Sequence, residues 1–230
     1  KMVADPGCGY DELERNPFHR AGIEVAGIVG VDFICNVTLD SVKRVTGVFS
    51  GHFEKAHEAG CNFLRPQAVV EVEEPFDAVI TSGGGAPLDV SLYQTCKGIT
   101  GAADVLCDGG QVLICSECSE GLGGPEFTGL ALSAKSPEEL LERLQQPGFY
   151  VVDQWCAQEI YTVLARVRVG LHSGGISEEQ TRQCHIEPIS DFQKAVSDLF
   201  RRLDSASRIA VIPRGPFTIG KVRKTLKHAA

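Results

Sequence analysis

From about residue 75 onward the chain alternates short apolar runs with amphipathic segments, and that rhythm restricts the fold more than any other feature. Ala78-Val79-Ile80-Thr81, Val112-Leu113-Ile114-Cys115, Val167 to Leu171 and Ile209-Ala210-Val211-Ile212 read as strands. Such runs are rich in β-branched residues and too short for buried helices. Helices are expected between them: over about Val90 to Leu106, from Ser136-Pro137-Glu138-Glu139, from Asp153 to about Arg166, and behind Ser177 and Ser190. Ser136 offers a capping hydroxyl, Pro137 a preset first-turn φ and Glu139 a capping-box partner. Ser177 and Ser190 each have glutamine three residues on, and Asp153 is expected to cap its helix. Uniformly apolar strands separated by helices must be covered on both sides. The expected fold class is therefore α/β, a mostly parallel sheet flanked by helices on both faces.

The first 70 residues follow a different pattern. A turn-rich opening, Asp5-Pro6-Gly7-Cys8-Gly9, leads to a helix and then to a strand over Val31 to Leu39. Val45-Thr46-Gly47-Val48-Phe49 reads as its hairpin partner, and a short helix from His52 ends at Gly60, a suitable C-cap. So few elements bury a poor core by themselves. They are expected to be an incomplete α/β portion, the truncated end (1–70) of a preceding domain, with a complete α/β domain over 71–230. Lysine rather than methionine at position 1 agrees with an excerpted chain.

Composition narrows the function classes. Of 230 residues 43% are hydrophobic and 23% charged, as in an ordinary globular protein. No apolar run approaches the roughly 20 residues that span a bilayer, and the first residues lack the apolar core of a secretory signal. A net charge of −8 argues against nucleic-acid partners. The basic tail, Lys221, Arg223, Lys224 and Lys227, reads as a solvated end. Nine cysteines lie scattered in apolar segments, where a free thiol behaves as a small hydrophobe; the expected location is the cytoplasm. No internal repeat or low-complexity segment is present.

The loop Thr81-Ser82-Gly83-Gly84-Gly85-Ala86-Pro87-Leu88-Asp89 leaves the carboxyl end of a strand and feeds a helix, where open α/β sheets gather ligands. Ser82, Gly83, Gly84 and Gly85 let backbone N–H groups approach an anion, and the helix adds its positive dipole end. A flexible connection is the equal alternative. With Asp89 as N-cap, Gln94 and Lys97 stand i and i+3 on one face. An amide donor beside an ammonium suits a carboxylate, although the spacing by itself favours a solvated polar face.

The same residues carry a resemblance. Thr81 to Asp89 followed by Tyr93-Gln94-Thr95-Cys96-Lys97-Gly98 resembles the corresponding segment of the nickel-pincer-dependent lactate racemase family. Asp108-Gly109-Gly110, Glu120-Gly121-Leu122-Gly123-Gly124, Asp153-Gln154-Trp155 with Gln158, and Ile212-Pro213-Arg214-Gly215 follow in the family's order. Upstream, Asn16-Pro17-Phe18-His19 and Asp32-Phe33-Ile34-Cys35-Asn36-Val37 are similar to its Asn-Pro-Val-His and Asp-Phe-Ile-Leu-Asn-Val segments. The resemblance covers most of the chain. It implies racemisation or epimerisation of a small 2-hydroxy carboxylate through a nickel pincer mononucleotide that takes and returns a hydride at the α-carbon. By position, Gln94 and Lys97 match the residues that hold the substrate carboxylate, and Tyr93 and Trp155 match aromatic residues lining that pocket. The tether lysine, the paired histidines and the phosphate loop would precede residue 1 in a missing N-terminal domain, and no cofactor is expected on this chain alone. Asp5 stands where the nickel-ligand histidine is expected, which keeps open a non-catalytic domain binding small carboxylates or an anionic cofactor.

Weaker signals remain. Cys115-Ser116-Glu117-Cys118 is a CxxC, readable as a redox pair or half a zinc site, without a second half at zinc-finger spacing. His52 and His57 are five apart and do not share a helical face, so they read as surface or capping residues. His19 reads as a structural hydrogen-bonding residue with a possible part in the missing half of the site. His172, His185 and His228 show no partner pattern.

Overall fold

The computed structural model describes residues 2–223, and the chain divides into two compact units, Lys1–Val70 and Glu71–Ala230. Lys224, Lys227 and His228 lie outside the described residues.

In the first unit α1 (Pro17–Val29) starts where Asn16 accepts the Phe18 N–H at 3.0 Å and ends at Gly30, whose φ of 74° is the left-handed cap. Strands β1 (Ile34–Leu39) and β2 (Val45–Gly51) form an antiparallel hairpin, with β1 beginning three residues later than the sequence pattern indicates. The Asp40 carboxylate closes the turn by accepting the Val42 and Arg44 N–H groups at 2.9 Å each. Helix α2 (Phe53–Ala68) does not stop at Gly60 but runs through it. A Cβ at Gly60 would lie 3.3 Å from the Phe49 ring, so the missing side chain lets β2 pack on the helix. That packing offsets the cost of a mid-helix glycine, about 1 kcal/mol. Ala56, at 7% exposure, is the one buried hydrophobic side chain of this unit among the described residues, while Ile28 and Phe33 are 78% and 67% exposed.

In the second unit β4 (Phe76–Ser82), β5 (Leu106–Cys115), β6 (Arg168–His172), β7 (Glu187–Pro188) and β8 (Ile209–Ile212) form a parallel sheet in the order β7-β6-β5-β4-β8. The strand in which the chain passes between units, β3 (Val69–Val72), pairs separately with β9 (Ile219–Val222). Helices α3 (Leu92–Ala103), α4 (Pro125–Ser133), α5 (Pro137–Gln145), α6 (Gln154–Leu164) and α7 (Glu178–Gln183) precede α8 (Phe192–Arg202). Val79, Val112, Ile114 and Leu171 point from the sheet into one core with Ile99, Phe127, Leu140 and Tyr161. Ala78 and Leu113 point the other way, onto Leu199 of α8. Strand alternation thus places helices on both faces, and each buried aliphatic side chain contributes about 1.5–3 kcal/mol.

Local chemistry moves several boundaries. Ser91, not Asp89, caps α3, because Ser91 is extended and its hydroxyl accepts the Gln94 N–H, while the Asp89 carboxylate faces the Glu117 N–H at 3.4 Å. α3 ends at Ala103 because Leu106 already belongs to β5, which also contains Asp108-Gly109-Gly110. Asp191 rather than Ser190 caps α8, accepting the Lys194 N–H at 2.9 Å. Ser136 and the Ser177–Gln180 capping box stand where the sequence places them. Arg223 of the basic tail pairs with Glu71 at 3.0 Å and Glu73 at 3.8 Å. Among the described residues no helix is long and apolar enough to cross a membrane.

Candidate functional site

The amides that open a helix lack i−4 partners, and in α3 those of Leu92, Tyr93 and Gln94 all find others. The Leu92 and Tyr93 N–H groups donate to the Gly121 and Leu122 carbonyls at 3.0 Å each, and Gln94 and Thr95 donate to the Ser91 carbonyl. The loop after β5 therefore folds onto the helix start. What this end of α3 presents to a ligand is side chains.

Two of those side chains touch. Lys97 Nζ donates to Gln94 Oε1 at 2.6 Å, with Lys97 exposed and Gln94 half-buried. This bond orients the amide: its oxygen faces the ammonium, leaving the NH2 group free to donate outward. Two ammonium protons also remain. The pair offers donors and no unpaired charge of like sign, the pattern a carboxylate requires.

Tyr93 sits beside them, with its hydroxyl donating to Asp153 Oδ1 at 3.2 Å. Its ring meets Phe127 edge-on at 5.4 Å and Trp155 at 6.0 Å. Gly123, at φ 126°, lets the loop cross here, since a Cβ would lie 2.8 Å from that of Tyr93. Burial first, and the Asp153 charge second, push the Tyr93 phenol up to about 12. Trp155 is 42% exposed, an open aromatic face. Asp153 holds the N-cap position of α6 but makes no capping bond, contrary to expectation; its carboxylate is turned onto Tyr93 instead.

The glycine loop is built differently from a bare phosphate cradle. Ser82 Oγ donates to the Pro213 carbonyl at 2.7 Å and accepts the Gly84 N–H at 3.1 Å. The Gly83 N–H donates to the Cys115 carbonyl at 2.8 Å. Gly84 and Gly85 have φ of 93° and 74°, and a Cβ on Gly83 would lie 2.5 Å from Ser116 Oγ. Ser82, Gly84 and Gly85 line a cleft of about 590 Å³ at the carboxyl ends of β4, β5 and β6, together with Asp89, Cys115 and His172. The structure thus joins Gln94 to Lys97 and Tyr93 to Trp155, while none of these four lines the glycine-loop cleft. Sequence reasoning places Asp153 as a helix cap and not as a partner of Tyr93, and it does not single out Phe127.

Other expectations fall out as follows. All nine cysteines are free thiols. Cys118 is buried, 3.5 Å from Thr95 Oγ1 and 3.6 Å from Ser116 Oγ, and burial pushes the Cys115 thiol up, the reverse of what redox chemistry needs. The His19 ring stacks on His57 at 5.2 Å, and His52 stands at the N-cap of α2. Asp5 Oδ1 accepts the Gly7 N–H at 2.8 Å. Among the described residues no three His, Cys, Asp or Glu side chains are grouped as metal ligands. Among the described residues the donors present do not compose a nickel site.

A parallel sheet covered on both faces, with an amide–ammonium pair on the helix after its first strand, defines the α/β class of domain. The chain belongs to the lactate racemase family: residues 71–219 match the model of the lactate racemase C-terminal domain. It is 34% identical over 217 residues to the lactate racemase of Thermoanaerobacterium thermosaccharolyticum, covering 94% of this chain and 51% of that protein. Identity to the lactate racemase of Lactiplantibacillus plantarum is 29% over the same shares. The structure of the Thermoanaerobacterium apoprotein superposes with a TM-score of 0.90 at 33% identity, covering 97% of this chain and 53% of that one. A Thermotoga maritima protein with a TM-score of 0.65 and 15% identity shares the fold. The chain spans about half the length of the curated relatives it matches.

Proposed function

We propose that this chain supplies the substrate grip of a 2-hydroxy-acid racemase or epimerase. Gln94 Nε2 and Lys97 Nζ hold the carboxylate, and Tyr93 and Trp155 form the wall beside it. The observation that carries this reading is the 2.6 Å contact between Lys97 and Gln94, which leaves both groups as outward donors. Inverting a 2-hydroxy acid takes its α-carbon through a planar state. A carboxylate pinned at two points keeps that carbon in place while either face is presented. The aromatic wall excludes water from the reacting centre.

The glycine loop, by this reading, lends the open Gly85 side of its cleft to an anionic group, with Gly83 and Gly84 shaping the backbone. The half of the relatives that this chain does not span is the expected source of the acid–base pair and of the residues holding the nickel pincer mononucleotide. A second reading, a domain that binds small carboxylates without turning them over, is favoured by Asp5, whose carboxylate is engaged with Gly7 at the position expected of a nickel ligand.

Titration of the full chain with D- and L-lactate, followed by calorimetry and by NMR, tests the grip. Binding is expected at about 1–10 mM, or roughly −3 to −4 kcal/mol, with Lys97→Ala weakening it about tenfold through loss of a charge-assisted bond. Silence of the wild-type chain at saturating lactate, or equal affinity in Lys97→Ala, overturns the reading.

A further inference from the structure

Asp153 occupies a costly conformation with no local return. Its φ of 63° lies in the left-handed region, uncommon for residues other than glycine. Aspartate is also among the best N-caps, yet its side chain makes no bond to the α6 amides. Residues kept in strained conformations against local preference mark places where surrounding structure or function demands it. The demand here comes from α3, where Tyr93 donates its hydroxyl to this carboxylate across 60 residues of sequence.

Two neighbouring contacts hold the same junction. Cys156 Sγ lies 3.5 Å from the Tyr93 carbonyl, and Cys96 Sγ lies 3.9 Å from the Cys156 carbonyl. Backbone approach between the helix starts is thereby fixed by buried thiols, but ring orientation is not. The Asp153–Tyr93 hydrogen bond holds the hydroxyl end of the ring, whose edges meet Phe127 at 87° and Trp155, two residues along α6, at 81°.

We propose that Asp153 is a positioning residue of the substrate site, giving up its cap to tie the first turn of α3 to that of α6 and so preset the Tyr93–Trp155 wall. This rests on the grip proposed above but concerns a different bond. It requires the wall to be formed before any ligand arrives. It also requires that an acceptor, not a cap, is what position 153 provides.

Trp155 is the chain's single tryptophan, so its emission reports on this wall alone. Asp153→Asn keeps an acceptor and tolerates the left-handed backbone, whereas Asp153→Gly keeps the backbone and removes the acceptor. In the full chain without ligand, Asp153→Asn is expected to leave Trp155 emission and acrylamide quenching unchanged. Asp153→Gly is expected to red-shift the emission and raise quenching about twofold, as a loosened, partly exposed ring does. Tyr93→Phe, nearly isosteric and independent of any folding defect at position 153, should reproduce the Gly phenotype. The double variant should add nothing further, since both singles remove one bond. Unchanged emission in Asp153→Gly or Tyr93→Phe, or additive effects in the double variant, overturns the proposal. These ligand-free signals stand whatever the lactate titrations show. Where lactate binds, Asp153→Gly should weaken it about five- to tenfold and Asp153→Asn within about twofold, a rescue that a purely structural role would not give.

Discussion

Lys97 Nζ approaches Gln94 Oε1 to 2.6 Å, one turn apart on the first half of α3. The contact fixes which end of the Gln94 amide faces away from Lys97. Replacing that amide by a carboxylate keeps the partner for Lys97 and abolishes the outward donor. Gln94→Glu is therefore expected to change folding stability by no more than about 0.5 kcal/mol, the size of a helical i,i+3 ion pair. Lactate affinity should fall at least tenfold, because like charge replaces a donor. Thermal melting read beside calorimetry separates the two effects; unaltered affinity would remove Gln94 from the site.

The seat of α3 gives a second prediction. A Cβ at Gly98 would lie 2.8 Å from the Ser82 carbonyl oxygen and 3.1 Å from Ile114 Cδ1, whereas at Gly101 the nearest atoms are carbonyl oxygens at 3.5 and 3.6 Å. Alanine gains helix propensity at both positions, about 1 kcal/mol. At Gly98 the clash is with backbone that cannot step aside, and overpacking of about 1–3 kcal/mol wins. Gly98→Ala should thus lower the denaturation midpoint and Gly101→Ala leave it unchanged or raise it. The reverse order would mean α3 sits differently on β4.

Tyr93 supplies a pH dependence. Burial and the Asp153 charge raise its phenol to about 12 in the folded chain, above the ordinary value of 10.0. Where the folded state holds a proton more tightly than the unfolded one, stability is complete below the unfolded value and falls as pH rises between the two. Stability should therefore decline from about pH 10 towards about pH 12, and Tyr93→Phe should flatten part of that decline. Tyr161 and Cys184, also raised by burial, contribute to the remaining decline. Urea midpoints across this range test it, and identical slopes in wild type and Tyr93→Phe would contradict it.

How much of this could be read beforehand depended on the range of the interaction. Strand runs such as Val112 to Cys115 and caps such as Ser136 and Ser177 act within a few residues, and the structure has them there. The Gln94–Lys97 pair was legible as i and i+3 on one helix. Asp89 and Ser91 are both good caps two residues apart, and the choice was made by Glu117, far along the chain. Gly60 reads as a terminator until Phe49 packs on it. Helix α4 begins at Pro125 behind a glycine loop whose punctuation hid it. Asp153 reads as a cap because no local pattern reveals that Tyr93 claims its carboxylate.

The CxxC segment yields the last prediction. Cys115 ends β5 half-buried with its thiol raised by burial, and Cys118 is fully buried against Thr95 and Ser116. A thiol must be both accessible and ionised to react; Cys118 is buried, and burial raises the half-buried Cys115 thiol. Cys35, exposed on the hairpin, is accessible. Brief iodoacetamide treatment of the folded chain at neutral pH, read by peptide mass spectrometry, should therefore modify Cys35 first and Cys115 slowly. Cys96, Cys118, Cys156 and Cys184, all buried, should react only after denaturation. Rapid labelling of Cys115, or a Cys115–Cys118 disulfide forming under mild oxidation without loss of structure, would restore a redox role to the segment. It would also mean that the loop carrying Gly121 and Leu122 onto the start of α3 opens readily, since Cys118 is a fully buried member of that loop.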